Sequence, residues 1–234
     1  YILFLNNDTI VTKDFLSKLV KFMEKRNDVG IIQPTILFHR PGLPLDRRIN
    51  SVGSFLLNSG FLYHLDYGKK FIQKDYKDSY EIFSAYGACF LARSETIEKV
   101  GLFDPDYFAY FEETDLCHRV WLAGLKVMIM PGTFIYHKGA KTAQKLPNAF
   151  IQYHSFKNRI YTYLKNLEKN NIIKIFIPHL IICEISSILY LVLGKPSYTF
   201  AIQKAILWNM FNLKTLLKER RRVQKVLRKV KDTD

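Results

Sequence analysis

Three carboxylates fall within four positions of the chain, at Glu112, Glu113 and Asp115. Aromatic residues precede them, and the residues that follow are apolar at helical spacing. The acids should therefore begin a helix, where the helix dipole tolerates negative charge. Carboxylates at the edge of a pocket can take a proton from an incoming nucleophile. The alternative is that they only charge the first turn of the helix.

A second polar group, Asn6-Asn7-Asp8, directly follows the apolar run Tyr1–Leu5. That run is typical of a buried strand, and open α/β sheets bind ligands at the carboxyl ends of their strands. Asp8 is the strong metal ligand of this group, and its hard oxygen suits Mg²⁺ or Mn²⁺. The same tripeptide also fits an ordinary turn.

Two further features could contribute to such a site. His137 follows an apolar strand and could reach a metal from the far side of a cleft, although a lone histidine is more often structural. Gly87-Ala88 stands between two apolar segments. A glycine there would let the backbone approach a ligand closely, or would simply make a turn.

The elements that must position these residues alternate between strands and helices. This alternation predicts an α/β fold, with a sheet covered by helices on both faces. Residues Phe38–Asp78 are rich in turn formers and predict loops with short strands. The expected strands are Tyr1–Leu5, Val29–Leu37, two within Tyr80–Ala92, Lys126–Met130 and Thr133–Tyr136; the expected helices are Lys13–Arg26 capped by Thr12, Glu95–Val100 capped by Ser94, and the acidic segment.

The composition changes near Pro147. A helix is expected over Ala149–Lys169, and Ile172–Leu193 is apolar and long enough to cross a bilayer. Because Glu184 and other polar residues interrupt the run, three alternatives stay open: a single span, a helix in the interface or a re-entrant hairpin, and a soluble helical subdomain. Tyr198–Leu217 suits an interfacial amphipathic helix.

Charge is concentrated in the last third of the chain. The net charge is +14, and Lys157–Asp234 holds 16 Lys and Arg against 5 Asp and Glu. Cations beside long apolar helices are expected to attract anionic headgroups rather than nucleic acid. The cysteines Cys89, Cys117 and Cys183 have no paired spacing, which excludes a disulfide framework and a zinc knuckle as predictions.

The order and spacing of these segments resemble family 2 glycosyltransferases of the GT-A fold, particularly the rhamnosyltransferase-like branch. The resemblance covers roughly Tyr1–Lys165. After the Asn-Asn-Asp strand it is carried by four segments, which are Tyr86-Gly87-Ala88-Cys89-Phe90-Leu91-Ala92-Arg93, Val100-Gly101-Leu102-Phe103-Asp104, Tyr110–Arg119 and Tyr136-His137-Lys138-Gly139.

The resemblance implies a role for each residue. Asp8 would hold a metal that bridges the donor diphosphate, and His137 would complete the metal site. Glu113 occupies the position of the family's general base, although its extra methylene leaves the choice between Glu113 and Glu112 open. The residues implied in donor and acceptor binding are Asn6, Asn7, Asp8, Gly87, Ala88, Asp115 and Arg119.

The resemblance also implies a fold and a reaction. We expect a partial GT-A (Rossmann-like) mixed sheet flanked by helices over residues 1–148, then a helical membrane-associating region over 149–234. The reaction would be an inverting, Mg²⁺- or Mn²⁺-dependent sugar transfer. It would run from a nucleotide-sugar donor to a glycan or lipid-linked acceptor at the cytoplasmic face of the membrane, in cell-surface polysaccharide synthesis.

Two departures from the family pattern favour an alternative. Asn6 stands where the family has an acid, and Glu113 stands where it has Asp. A degenerate module that binds glycan or membrane without catalysis would fit them. We also expect the nucleotide-binding part of the domain to precede Tyr1, so this chain alone should show little affinity for a nucleotide sugar.

Overall fold

The computed structural model describes residues 1–39, 47–138 and 146–232. The strands are β1 (Ile2–Leu5), β2 (Thr9–Val11), β3 (Val29–Phe38), β4 (Ile49–Ser51), β5 (Ser54–Leu56), β6 (Leu62–His64), β7 (Tyr80–Glu81), β8 (Cys89–Ala92) and β9 (Lys126–His137). The helices are α1 (Phe15–Glu24), α2 (Ser94–Val100), α3 (Glu112–Leu122), α4 (Asn148–Asn166), α5 (Lys169–Asn171), α6 (Ile177–Val192), α7 (Pro196–Phe211) and α8 (Leu213–Arg222).

A mixed sheet forms the centre of the fold. Its strand order is β1-β8-β3-β9-β2, with β4 added beside β3 and β7 beside β9. β3 and β9 run parallel, whereas β1 and β2 pair antiparallel with β8 and β9. The predicted mixed α/β sheet is therefore confirmed, and the predicted short strands within Phe38–Asp78 are β4, β5 and β6.

Successive residues of β3 serve opposite faces of the sheet, as the strand period of two requires. Ile31 packs in the core that includes α3, and Ile32 packs in the core that includes α1. Both side chains are fully buried. The sheet is thus the middle of three layers, which explains why β3 is almost continuously apolar.

Four local predictions were wrong. Ser94 does not cap α2, because it is the first residue of the helix and Arg93 takes the cap position. Thr12 does not cap α1, because its hydroxyl donates to the Phe134 carbonyl at 2.6 Å and Asp14 takes the cap position. Pro131-Gly132 does not divide two strands; β9 is continuous, and its register with β3 shifts where Pro34 cannot donate a ladder hydrogen bond. The single helix expected over Tyr198–Leu217 is two helices that meet at Asn212.

The C-terminal helices pack on one another and on the α/β part. A π-helical segment, Ile172–Phe176, joins α5 to α6, and the helix Lys169–Val192 is long and apolar enough to cross a membrane. Only 17% of its most apolar window is buried within the protein. The outward isoleucines at roughly helical spacing are Ile173, Ile177, Ile181, Ile185 and Ile188.

The polar residues of α6 face the protein instead. His179 is fully buried, and its Nδ1 lies 3.1 Å from the Ser59 carbonyl. The Glu184 carboxylate accepts a hydrogen bond from Gln203 of α7 at 2.8 Å. α6 is therefore two-sided, with an apolar outer face and a partnered polar inner face.

Candidate active site

A cleft of about 630 Å³ opens where β1 and β9 end and α3 begins. It brings together eight of the residues that the sequence marks as site candidates. Five lie in two loops, two begin α3 and one ends β9. The lining residues are Asn6, Asn7, Asp8, Tyr86, Gly87, Ala88, Phe108, Ala109, Tyr110, Glu112, Glu113, His137 and Leu146.

The strand side of the cleft presents a carboxylate and an imidazole. The antiparallel pairing of β2 with β9 places Thr9 opposite His137, and the Lys138 amide donates to the Asp8 carbonyl at 3.0 Å. The Asp8 and His137 side chains therefore meet, with Oδ1 and Nε2 3.2 Å apart. Gly139, which follows them in the motif, lies outside the described residues.

The buried side chain of Asn50 fixes the tautomer of the His137 ring. His137 Nδ1 lies 2.8 Å from Asn50 Oδ1; because an amide oxygen only accepts, Nδ1 carries the hydrogen. Burial lowers the pKa of His137, with the Asp8 carboxylate opposing this effect, so the ring is neutral at pH 7. Its Nε2 lone pair then faces the Asp8 oxygen.

Two acceptor atoms that face each other at 3.2 Å fit a shared cation. A carboxylate and a neutral imidazole are a donor set that Mn²⁺ or Mg²⁺ accepts. Within residues 1–39, 47–138 and 146–232, no group of three His, Cys, Asp or Glu side chains could hold a metal. Asp8 and His137 would thus supply two ligands, and the others would come from substrate phosphate and water.

On the helix side, the chain enters α3 through a strained turn. Tyr110 and Phe111 both have left-handed backbone conformations, with φ of 67° and 73°, which side chains with a Cβ rarely adopt. The Asn158 amide of α4 donates to the carbonyls of Ala109 and Tyr110 at 2.8 and 2.6 Å. The turn therefore delivers Glu112 and Glu113 to the cleft while α4 supports it from behind.

The two glutamates are tuned toward holding protons. Burial, reinforced by the neighbouring Glu112 charge, raises the pKa of Glu113 to about 8. Burial also raises the pKa of Glu112, whose Oε2 is buried without a hydrogen-bond partner. A carboxyl whose pKa lies near neutrality suits general acid–base chemistry.

Gly87 faces this acid directly. A Cβ added there would lie 3.7 Å from Glu113 Cγ, in ordinary contact, so the glycine leaves space above the carboxylate. The backbone N–H of Asn6 donates to the Ala88 carbonyl at 3.0 Å, which ties the Gly87-Ala88 loop to the turn between β1 and β2 that carries Asp8. The loop thus spans the gap between the two sides of the cleft.

Asp115 and Arg119 do not line the cleft. Both are buried, with exposures of 0% and 1%, and they pair with each other at 2.9 Å. Arg119 also donates to the carbonyls of Val100, Gly101 and Leu102. Nearby charges from Lys165 and Arg119 outweigh burial and hold the pKa of Asp115 far below its usual range. The geometry gives these residues a supporting position.

Sequence reasoning missed the partners of these groups. Asn50, Asn158, Lys165 and Asn166 contact site or support residues from 48 to 87 positions away in the chain. One signal was present: an Asp and an Arg in a helix whose apolar residues pack on the core need buried partners. That signal says partners exist without saying where they are.

Comparison with known proteins points to glycosyltransferases. The family model described as "Glycosyl transferase family group 2" matches residues 1–213. The chain is 24% identical over 158 residues to the low-salt glycan biosynthesis hexosyltransferase Agl10 of Haloferax volcanii, covering 68% of this chain and 48% of that one. It is 33% identical over 141 residues to the rhamnosyltransferase WbbL of Escherichia coli K12, covering 58% and 52%. The chain spans about half the length of these curated relatives.

Among solved structures, the fold matches GalNAc-T7, which was crystallised with UDP, GalNAc and Mn²⁺. The TM-score is 0.51 at 15% identity, and the match covers 70% of this chain and 31% of that one. At this identity the likeness shows the GT-A fold alone.

Proposed function

Because the chain belongs to glycosyl transferase family group 2, we propose that it carries the metal-binding and base side of an inverting sugar transferase. The donor would be a nucleotide sugar, and the acceptor a glycan or a lipid-linked sugar in cell-surface polysaccharide synthesis. Rhamnose or a hexose is the proposed sugar, in keeping with the relatives' names. One observation carries the proposal: Asp8, His137 and Glu113 line the same cleft.

Asp8 and His137 would hold a divalent cation through Oδ1 and Nε2, the two atoms that face each other. Such an ion, when bound, supplies positive charge that offsets the charge building on the leaving diphosphate. Asn50 keeps the His137 lone pair directed toward Asp8 through its contact with Nδ1. The strand side would therefore serve the leaving group.

Glu113 would serve the nucleophile. Its carboxylate takes the proton of the acceptor hydroxyl as that oxygen attacks the anomeric carbon, while the bond to the diphosphate breaks on the opposite side. A single displacement inverts the anomeric centre and forms no covalent intermediate. The raised pKa of Glu113 makes its carboxylate a stronger base than a solvated one, and the fraction of Glu113 in the carboxylate form rises with pH.

The test is donor turnover by the protein at its natural length, with variants Asp8→Ala and Glu113→Gln. Both should lose turnover, and Glu112→Gln should lose less if Glu113 is the base. Unchanged rates in both variants would overturn the proposal. Metal-independent glycan binding without turnover would favour the non-catalytic alternative. That this chain alone binds a nucleotide sugar weakly stays a prediction, and micromolar binding by calorimetry would contradict it.

We also propose that residues 149–234 seat the protein on an anionic cytoplasmic membrane surface, behind a catalytic part formed by 1–148. The outward isoleucines of α6 support contact with the acyl region, and its inward Glu184 contact supports a helix that lies in the interface rather than crossing it. Basic residues of α8 (Lys214, Lys218, Arg221) would meet the headgroups.

Vesicle flotation tests this second proposal. The protein should float with vesicles that contain anionic lipid and should stay behind with neutral ones. Ile181→Glu with Ile185→Glu should abolish flotation, because both side chains are more than half exposed. Leu16→Glu, at an exposed leucine of α1 in the α/β part, is the control. Equal flotation of the double variant and the wild type would contradict the proposal.

A further inference from the structure

One face of α4 is turned toward the segment that carries the catalytic glutamates. Lys165 and Asn166 follow Asn158 by seven and eight positions, about two helical turns, so all three lie on the same side of the helix. All three are buried. None lines the cleft, so none can touch a substrate there.

Asn158 supports the strained turn. Its Nδ2 donates to the carbonyls of Ala109 and Tyr110, and its Oδ1 has no partner. Two consecutive residues with side chains, Tyr110 and Phe111, would relax out of the left-handed region if they were free. The two hydrogen bonds therefore hold a conformation that the local sequence does not favour.

Lys165 and Asn166 support the helix that follows. Lys165 Nζ lies 2.7 Å from Asp104 Oδ2 and 3.1 Å from Asp115. The Asn166 Nδ2 donates to Asp115 Oδ1 at 2.9 Å. Asp115 is two residues beyond Glu113, so a fixed Asp115 fixes the first turn of α3. Asp115 is ionised in this setting, which makes both contacts strong.

We propose that Asn158, Lys165 and Asn166 are positioning residues for sugar transfer, which hold the turn and the first turn of α3 so that Glu113 meets the acceptor hydroxyl. The inference rests on the proposed function. It also assigns α4, which lies within the region expected only to associate with membrane, a part in the catalytic site. Because none of the three reaches the cleft, their loss should lower kcat and leave the donor KM and the metal affinity nearly unchanged.

A matched control exists on α7. Asn209 is also buried; its Nδ2 donates to two carbonyls, those of Lys157 and Ala205, and its Oδ1 has no partner. It contacts α4 without touching the catalytic turn. Asn158→Leu and Asn209→Leu therefore each remove a buried side-chain amide and its two hydrogen bonds. The first does so at the turn before α3, and the second where α7 meets α4.

The experiment compares these two variants, with Asn166→Leu as a milder third that leaves Lys165 and Arg119 on Asp115. Measurements are the melting temperature, kcat and donor KM at natural length, and amide hydrogen exchange over residues 107–117. We expect Asn158→Leu to lose about 10²-fold in kcat, the scale of a 1 Å misplacement, with KM within about twofold. Exchange over 107–117 should accelerate in Asn158→Leu and Asn166→Leu.

Asn209→Leu should lower the melting temperature by a similar amount while both kcat and exchange over 107–117 stay at the wild-type level. If the Asn158 and Asn209 variants behave alike in kcat and exchange, the positioning role is overturned. If Asn158→Leu does not fold, the same comparison is made with Asn166→Leu. A wild-type protein without turnover would defeat the proposed function, whereas hydrogen exchange would still decide whether α4 holds the turn.

Discussion

The two sides of the cleft are built by different means. On the strand side, sheet pairing places Asp8 and His137, the Asp8 side chain is 26% exposed, and one neutral asparagine supports the histidine. On the helix side, a strained turn and a fully buried set of charges fix the glutamates. We call the strand side, which would exchange an ion and a leaving group, open because Asp8 is partly exposed to solvent. We call the helix side, which would hold a base, locked because buried contacts fix it. Open and locked sides should respond differently to mutation.

The largest difference is expected in catalysis. Glu113→Gln should reduce kcat by about 10²- to 10⁴-fold, the usual contribution of a general base, while Mn²⁺ binding is kept. Single-turnover assays with labelled donor measure the rate, and metal titration provides the control. A variant that keeps wild-type kcat would remove Glu113 from the base role and leave Glu112 as the candidate.

Stability should separate the sides next. Lys165→Met leaves Asp115 with fewer partners in a site that excludes water, and we expect a loss of about 3–5 kcal/mol in the free energy of unfolding. Asp8→Asn changes a partly exposed side chain that shares no hydrogen bond with the neutral His137 ring, and it should alter the free energy of unfolding by at most about 1 kcal/mol. Urea unfolding followed by circular dichroism measures both. Equal losses would show that the helix side is no more locked than the strand side.

The pH dependence of stability tests the environment of Glu113. Its pKa is raised from 4.5 to about 8 in the folded protein, so between these values the folded state binds more protons than the unfolded state. The free energy of unfolding should therefore fall as pH rises through this window. Glu113→Gln should reduce that slope, and Glu112→Gln should reduce it less. Melting temperatures measured from pH 5 to 9 test this prediction. If the slope of stability against pH is unchanged in both variants, the raised pKa assigned to Glu113 is contradicted.

The smallest expected effect is metal stabilisation. At about ten times its dissociation constant, Mn²⁺ should add about 1.4 kcal/mol to the free energy of unfolding. The increment should vanish in Asp8→Ala and His137→Ala but persist in Glu113→Gln, because only the first two remove a ligand. An increment that survives both strand-side variants would place the metal elsewhere.

The sequence could mark these candidates because each sits where an element ends. Asn6-Asn7-Asp8 follows a strand, His137 ends one, and Glu112 begins a helix. The family resemblance implied that they share one site, and they line one cleft. The support could not be found in this way. Lys165 meets Asp115 across 50 positions of chain, and Thr12 bonds Phe134 across 122. Local pattern holds no information on pairs at such separations.

The same limit of local patterns explains why Asp115 and Arg119 were expected in the binding site but lie outside the cleft. Their residue types and their place beside the glutamates favour a binding role, and the resemblance implied one. In the structure, α3 buries Asp115 in its first turn and Arg119 one turn further along, and Lys165 and Asn166 meet Asp115 there. Which face of a polar helix start meets substrate depends on what packs behind it, and here that is α4.

The distance between Asp115 and Lys165 along the chain has a consequence for biosynthesis. The ribosome adds about 5–20 residues per second, so the 50 residues that separate them take about 3–10 s to emerge. During that interval the newly made acidic helix has no cation from α4. β9 emerges within the same interval, but the contacts that hold the proposed base form only when α4 follows it out of the exit tunnel.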